Sequence, residues 1–209
     1  MSKVKTAVIR YEAAWDDFVN SGSMKALSVV YHVHFDYLFN YGRRFTNEDH
    51  LIEDAIQNVF TTLIKSGSKL RRVNNIRFYL TITFRNELFQ QIRHSRKLSL
   101  GVQPGEINFA PSYTIEDEIV REEGRWSIKK ALLRSLQKLT PKQQEVLYMR
   151  YDCGLSYEEI SQTLDISVES CRTAVYRAVK SIRSEFDQLN IKGINLFVCF
   201  FRQIFSPFR

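Results

Sequence analysis

The sequence has little glycine and proline. Eight glycines and four prolines occur in 209 residues, which is too few turn-forming residues to separate the many short strands of a β-sandwich or β-barrel. Hydrophobic residues make up 44% of the chain, a content that supports a packed core and argues against wholesale disorder. We therefore expect a mostly helical chain with room for one medium or two small domains.

Cysteine is also sparse, and its spacing does not suggest a structural framework. Cys153, Cys171 and Cys199 lie far apart, and none has a second cysteine or a histidine at the spacing of zinc ligands. Three widely spaced thiols fit the reducing cytoplasm better than an oxidising compartment. We expect no metal site, no disulfide and no cofactor.

Long apolar segments are missing as well. The longest uninterrupted apolar run extends from Leu196 to Phe201, whereas a membrane-spanning helix needs about 18 such residues. The N-terminal segment MSKVKTAVIRYEAAWDD has no apolar core of the signal-peptide type. The sequence predicts a cytoplasmic protein without a transmembrane segment.

The sequence contains no recognisable catalytic motif. It has no phosphate-binding loop, no nucleophile elbow and no cluster of metal ligands. His32 and His34 are two residues apart and would not share a helix face, while His50 and His94 stand alone. We predict no enzymatic activity.

Positive charge, in contrast, is abundant and concentrated. The chain carries a net charge of +7, which suits a polyanionic partner. Between Lys65 and Lys97, nine basic residues stand against one acid, Glu87, so this stretch of 33 residues has a net charge of +8. An ordinary solvated surface would mix the two signs, and the concentration therefore indicates a surface that faces phosphate.

The segment at about 48–65 has the pattern of an amphipathic helix, which Thr46 or Asn47 can cap. Apolar residues recur in pairs every four positions and predict a buried stripe: Leu51, Ile52, Ala55, Ile56, Val59, Phe60, Leu63 and Ile64. The opposite face carries polar residues: Glu53, Asp54, Gln57, Asn58 and Thr61. Spacing alone allows this face to be either a solvated surface or a binding surface.

The next segment, 75–95, allows two interpretations on local grounds. Ile76, Phe78, Leu80, Ile82 and Phe84 alternate with more polar residues, as in a strand. An i+4 repeat that starts at Ile76 and ends at Ile92 favours a helix instead, and no turn signal divides the run. We favour the helix.

Residues 140–183 contain three helix starts that are marked by capping chemistry. Thr140-Pro141-Lys142-Gln143 and Ser156-Tyr157-Glu158-Glu159 both fit capping boxes. Ser167 can cap a third helix after the short turn 164–166, and Gly154 can end the first one. A short helix, a three-residue turn and a longer helix form a helix-turn-helix, the layout of many DNA-binding proteins.

The last helix of this motif has distinct buried and exposed faces. Val168, Cys171, Val175, Ala178 and Ile182 are spaced as a buried stripe, with Cys171 as a small core residue. The remaining face bears hydroxyl, aromatic and cationic side chains, which suit base edges and phosphates. The alternative is an ordinary amphipathic helix with a charged surface.

These residues resemble the sigma-70 family, and specifically its short extracytoplasmic-function group. The stretch LQKLTPKQQEVLYMRYDCGLSYEEISQTLDISVESCRTAVYRAVKSIR is similar to that family's C-terminal DNA-binding domain. Many regulators share a Leu-Ser-x-x-Glu-Ile helix-turn-helix, but fewer also share the preceding Leu-Thr-Pro-x-x-Gln. The resemblance implies that this domain binds the −35 promoter element through eight side chains: Ser167, Glu169, Ser170, Arg172, Thr173, Tyr176, Arg177 and Lys180.

The first half of the chain resembles the same family. IEDAIQNVFTTLI is similar to the segment that docks on the clamp of core RNA polymerase, which implies polymerase-binding roles for Asp54, Gln57, Asn58 and Thr61. NIRFYLTITFRNELFQQIR is similar to the segment that follows it, which is a helix in the family and supports the helical interpretation of 75–95. The loop before it is where the family captures an extruded base of the −10 element. The expected −10 residues are Lys69, Arg71, Arg72, Asn74, Asn75, Arg77, Arg85 and Asn86.

The resemblance has three departures. Asn58 stands where the family usually has an acid, Asp165 replaces the common glycine of the turn, and Ala174 stands where a basic residue is frequent. Aspartate tolerates the left-handed conformation better than most residues, so the second departure is compatible with the turn.

The implied architecture is all-α, with two small helical domains joined by an extended linker. We expect an N-terminal helical bundle at 8–97, an acidic linker at 98–125, a helix-turn-helix domain at 126–187 and a hydrophobic tail at 188–209. The expected function is that of a promoter-specificity subunit of bacterial RNA polymerase, with core polymerase and promoter DNA as partners, which would place it on the nucleoid when polymerase is bound. A stand-alone helix-turn-helix regulator is the alternative, although a dimerisation block has no need of the +8 stretch.

The tail INLFVCFFRQIFSPFR has more aromatic residues than an exposed segment normally carries. Three interpretations remain open. The tail folds back on the second domain, or it docks a regulator such as an anti-sigma factor or a DNA-bound recruiting protein, or it binds a membrane surface.

Overall fold

The structure is a computed structural model and describes residues 2–66, 70, 73, 75–100, 107–109 and 134–188. Seven helices have both ends in this part of the chain: α1 (Ser2–Ser21), α2 (Met24–Gly42), α3 (Asp49–Ser66), α4 (Ile76–Leu100), α5 (Pro141–Tyr151), α6 (Tyr157–Leu164) and α7 (Val168–Gln188). Residues 134–137 are helical as well. The described residues form no strand, and the all-α prediction is confirmed. The chain divides into two compact units, Met1–Ile107 and Asn108–Arg209.

The first unit is a four-helix assembly. Helix α1 packs on α2, α2 packs on both α3 and α4, and α3 packs on α4. The i+4 series of α4 lies in the core, where Ile76, Leu80, Phe84, Leu88 and Ile92 are all buried. The helical interpretation of 75–95 is therefore correct, and the competing strand pattern is a coincidence of half-buried residues on the flanks of the same helix.

Helix α3 buries the predicted stripe with one exception. The stripe from Leu51 to Leu63 is buried, but the Ile64 side chain is 49% exposed. Successive i+4 steps rotate by about 40° because a turn holds 3.6 residues. Three steps after Ile52, Ile64 has therefore left the core face. The helix begins at Asp49, later than the predicted cap positions Thr46 and Asn47 require. The Thr46 hydroxyl accepts a hydrogen bond from the Glu48 N–H, which closes a turn before the helix.

Helices α2, α3 and α4 converge at Gly42. A Cβ atom at this position would lie 2.7 Å from Cγ2 of Ile52 and 3.0 Å from Cζ of Phe84. Such distances are too short for real Cβ contacts, so the last turn of α2 approaches both neighbouring helices only because residue 42 has no side chain.

The second unit contains the capping chemistry that the sequence predicts. Both Thr140 with Gln143 and Ser156 with Glu159 form complete capping boxes, and Pro141 occupies the first turn of α5. The Gln144 side-chain amide donates to the carbonyls of Leu136 and Leu139, which ties the preceding turn to α5. Because these contacts are local, they define the start of each helix independently of distant packing.

The turn between α6 and α7 depends on Asp165, which adopts the left-handed conformation with φ 50° and ψ 54°. The N–H groups of Asp165 and Ile166 both donate to the Ser161 carbonyl and close the end of α6. Helix α7 then buries Cys171, Val175, Ala178 and Ile182, while Val168 is half-buried. Both α5 and α6 pack on α7, so the helix-turn-helix is present as predicted.

One residue of the segment expected to be a linker contributes to the second unit. Phe109 is buried, and its ring centroid lies 5.6 Å from that of Tyr148 on α5. At the other end, α4 continues to Leu100, past the expected start of the linker. Residues 101–106 and 110–125, together with the tail 191–209, lie outside the described residues. Among the helices that the structure describes, none combines the length and apolar character needed to span a membrane.

Candidate nucleic-acid interface

Helix α7 presents a continuous polar face in the second unit. Of the eight residues predicted for this face, Thr173 is half-buried and the others are exposed: Ser167, Glu169, Ser170, Arg172, Tyr176, Arg177 and Lys180. Tyr176 is 66% exposed although it is a large aromatic residue. An exposed aromatic ring flanked by cations provides a stacking surface beside phosphate contacts.

The first turn of α7 is organised by two serines. The Ser167 hydroxyl accepts a hydrogen bond from the Ser170 N–H at 3.1 Å, and the two hydroxyl oxygens lie 2.8 Å apart. Hydroxyl groups at a helix N-terminus can donate to phosphate oxygens, and the helix dipole favours an anion there. This turn therefore has the groups that position a helix on a DNA backbone.

Arg172 is held by acidic and aromatic neighbours. Its guanidinium lies 3.8 Å from the Glu169 carboxylate, 3.9 Å from the Glu158 carboxylate and 5.8 Å from the Tyr157 ring centroid. The Arg150 guanidinium lies 4.8 Å from the same ring, and its Nη1 donates to the Leu155 carbonyl.

Sequence reasoning did not select Arg150, Tyr157 or Glu158 for the interface. Glu158 and Glu159 are adjacent acids in a capping-box sequence. The capping box uses only Glu159. Because Glu158 has no part in the capping box, the sequence could have suggested that Glu158 contacts another side chain of the interface.

The first unit carries the basic residues of the predicted −10 surface on α4. Arg77 and Arg85 are half-buried, with guanidinium carbons 4.5 Å from the Tyr37 ring centroid and 4.2 Å from the Phe89 ring centroid. Asn75 caps α4, because its Oδ1 accepts from the Phe78 N–H, and Asn86 is exposed. Lys69, Arg71, Arg72 and Asn74 lie outside the described residues.

The exposed face of α4 extends beyond the predicted set. Asn86, Gln90, Arg93 and Lys97 are spaced by four, three and four residues, and all four are exposed. Arg93 and Lys97 contributed to the +8 charge of the stretch but were not selected as site residues. Their helical spacing from Asn86 was the signal that could have identified them.

The polar face of α3 is exposed as well. Asp54, Gln57, Asn58 and Thr61 are all solvent-accessible. The Asn58 Nδ2 donates to Glu87 Oε1 on α4 at 2.7 Å, and Gln91 Nε2 reaches the same oxygen at 3.2 Å. The structure thereby joins a residue of the predicted polymerase-binding set to an α4 carboxylate that sequence reasoning did not assign to any site.

Buried titratable groups lie in the cores of the two units. Burial lowers the pKa of His34 to about 4, while its Nδ1 donates to the Val30 carbonyl at 2.8 Å. Burial also raises the pKa of the Cys171 thiol, which is consistent with a core residue rather than a reactive nucleophile.

Two family models match the chain. Sigma-70 region 2 matches residues 30–98, and Sigma-70 region 4 matches residues 129–182, so together they cover more than half of the sequence. A comparison with curated proteins gives no significant match.

Two solved structures resemble the fold. A structure of CnrH in complex with the cytosolic domain of CnrY has 18% identity and a TM-score of 0.51, with 86% of this chain and 96% of that chain covered. The sigma factor RpoE, in complex with the anti-sigma factor NepR from Bartonella quintana, has 16% identity and a TM-score of 0.52, with 78% and 98% covered. At these identities, the likeness establishes a shared fold.

The family matches fall on the elements described above. The region 2 match contains α3 and most of α4, and the region 4 match contains α5, α6 and most of α7. The chain therefore belongs to the sigma-70 family, whose members are non-enzymatic regulatory subunits, and is a promoter-specificity subunit of RNA polymerase.

Proposed function

We propose that the two units divide promoter recognition between them. The first unit binds core polymerase and the −10 element, and the second unit binds the −35 element. The observation that carries this proposal is the difference in chemistry between two exposed helix faces. From Glu53 to Thr61, the exposed side chains of α3 are carboxylates, amides and a hydroxyl. The exposed face of α7 carries arginine, lysine, hydroxyl and tyrosine side chains, with Glu169 as the one carboxylate among those described. The first face suits a basic protein surface, and the second suits DNA.

The polymerase-binding surface consists of Asp54, Gln57, Asn58 and Thr61. These side chains follow one another along a single face of α3, and the opposite face of the helix is packed in the core. A helix held rigidly by its core keeps its exposed side chains in a fixed arrangement, which reduces the entropy lost on binding. Clamp binding by this face is consistent with the resemblance of residues 52–64 to the clamp-docking segment of the family.

The −35 surface consists of the exposed face of α7 together with its first turn. The N-terminal half of this helix would enter the major groove, with Arg172, Thr173 and Tyr176 near base edges and Arg177 and Lys180 near phosphates. The exposure of Tyr176 supports this assignment, since an aromatic residue of this size normally has a partner.

The −10 surface consists of α4 and the loop that precedes it. Asn86, Arg93 and Lys97 are exposed on α4 and would contact the phosphate backbone, while Arg77 and Arg85 are kept near the surface by aromatic rings. Lys69, Arg71, Arg72 and Asn74 would contact the extruded base and its flanking phosphates.

A protein regulator is the remaining partner. The RpoE structure contains an anti-sigma factor, and we propose that this chain is also controlled by a regulator of that kind or by a recruiting protein. The aromatic tail is the candidate contact for such a partner.

The experiment that tests the proposed function is a pull-down of the purified chain with bacterial core RNA polymerase. We expect stoichiometric binding by the wild type and a strong loss for the double variant Asp54→Lys/Gln57→Ala, because it reverses a charge and truncates an amide on the exposed face of α3. Asp16→Lys, which reverses a charge on the exposed surface of α1, is the matched control and should bind like the wild type.

Two results would contradict the proposal. If the wild type binds duplex DNA but not core polymerase, the chain does not act with polymerase through this surface. If the α3 double variant and the Asp16→Lys control bind equally well, polymerase contacts another part of the chain.

A further inference from the structure

Glu87 is an isolated negative charge in a basic segment. It is the only acid between Lys65 and Lys97, and it lies half-buried on α4 at the contact with α3. Asn58 and Gln91 both donate to its Oε1, at 2.7 Å and 3.2 Å. Both neighbours are amides, so they orient the carboxylate without neutralising its charge.

The structure provides Glu87 with no cation within the described residues. On α4, the positions three and four residues away are occupied by Thr83, Phe84, Gln90 and Gln91, so the i±3 and i±4 positions supply no arginine or lysine. The nearest preceding arginine, Arg85, instead lies over the Phe89 ring. A half-buried carboxylate whose near neighbours are amides retains a strong preference for an external positive group.

The neighbour of Glu87 on α3 makes this charge informative. Asn58 is an uncharged member of the proposed polymerase-binding set and lies on the exposed face of α3. Its amide nitrogen lies within hydrogen-bond distance of the Glu87 carboxylate. In the folded protein, a negative charge is thus present beside position 58 although the residue at 58 is neutral.

We propose that Glu87 supplies, from α4, the carboxylate of the polymerase-binding surface, and that Asn58 is its positioning residue. The partner is a lysine or arginine side chain on core polymerase, bound as an ion pair at the boundary of α3 and α4. This inference rests on the proposed function. It adds a binding residue from a second helix to the exposed face of α3.

The test compares the affinity of three full-length variants for core polymerase. Glu87→Gln removes the charge while keeping the length of the side chain and an oxygen that can accept from Asn58. We expect it to weaken binding by about three- to tenfold, as for loss of an interfacial ion pair. Adding Asn58→Asp to this variant returns a carboxylate to the same place and should restore most of the affinity.

Asp16→Asn is the matched control, because it removes one exposed carboxylate from α1 and should leave the affinity unchanged. Binding is measured at two salt concentrations, since an ion pair weakens as salt rises. The wild type should lose more affinity with salt than Glu87→Gln. Circular dichroism verifies that each variant retains the helical content of the wild type.

The outcomes separate the two proposals. Failure of the wild type to bind polymerase would contradict the proposed function itself. Wild-type binding with no loss in Glu87→Gln would overturn only the role of Glu87. A loss that Asn58→Asp does not restore would also overturn it, because Glu87 would then act through the packing of α3 on α4. Loss followed by restoration, with the reduced salt dependence, would establish the shared carboxylate.

Discussion

Acidification should destabilise the first unit through His34. Its side chain is 3% exposed, its Nδ1 donates to the Val30 carbonyl, and its ring packs edge-on against Tyr11 with centroids 4.9 Å apart. Burial is the main cause that lowers the His34 pKa from 6.5 to about 4, and the charge of Arg77 lowers it further. The folded state therefore resists protonation at a pH where the unfolded chain accepts the proton readily.

The sign and size of the effect follow from the two pKa values. Because the folded pKa is the lower one, the contribution of His34 to stability is fully present above pH 6.5 and is lost as the pH falls towards 4. The difference corresponds to about 3 kcal/mol when the loss is complete, and to about 2 kcal/mol at pH 5. A single domain is stabilised by only about 5–15 kcal/mol, so this loss would be readily measurable.

The assay is urea unfolding followed by the fluorescence of Trp15, which is buried in the first unit. A Trp126→Phe background leaves Trp15 as the only tryptophan. The free energy of unfolding should fall by about 2 kcal/mol between about pH 7.5 and pH 5. His34→Phe should remove most of this fall, whereas His32→Phe, on the exposed side of α2, should retain it. An equal pH dependence in His34→Phe and the wild type would refute the reasoning.

Two further predictions concern packing and DNA binding. Gly42→Ala should destabilise the first unit by about 1–3 kcal/mol, because its Cβ would lie 2.7 Å from Cγ2 of Ile52. The urea assay compares this variant with Ser28→Ala, a control on the exposed side of α2. Equal stability of the two variants would contradict the prediction. Arg177→Ala should lower the slope of log affinity for duplex DNA against log salt by about 0.9, as measured by fluorescence anisotropy with Arg134→Ala as the control. Arg172→Ala should lower this slope less, because Glu158 and Glu169 already lie beside the Arg172 guanidinium. If Arg177→Ala has the same slope as the wild type, Arg177 does not contact phosphate.

The features that the sequence predicts correctly depend on local interactions. The capping boxes at Thr140 and Ser156 join residues three positions apart, so they can be recognised before any tertiary structure is known. The same holds for the i+4 stripes of α3 and α4, and for Asp165, whose residue type tolerates the left-handed turn. Helix type, approximate helix bounds and the helix-turn-helix were therefore accessible from the sequence.

The features that the sequence did not reveal join residues that are distant along the chain. Arg77 lies over the ring of Tyr37, a residue of another helix, and Phe109 packs against Tyr148. Neither pairing has a characteristic spacing, because it depends on which helix faces come together. A count of basic residues therefore predicted the charge of the 65–97 stretch but not that Arg77 and Arg85 are half-buried beside aromatic rings.

The pairing of Asn58 with Glu87 shows why a departure from a family pattern has to be interpreted in three dimensions. In the sequence, Asn58 suggests that the proposed polymerase-binding surface has lost a negative charge. In the structure, the carboxylate of Glu87, 29 residues later, accepts a hydrogen bond from this side chain at 2.7 Å, so a negative charge lies beside position 58 although residue 58 is neutral. Electrostatic attraction depends on the position of the charge and not on the residue that carries it. A surface can therefore keep a negative charge although one of its positions departs from the family pattern.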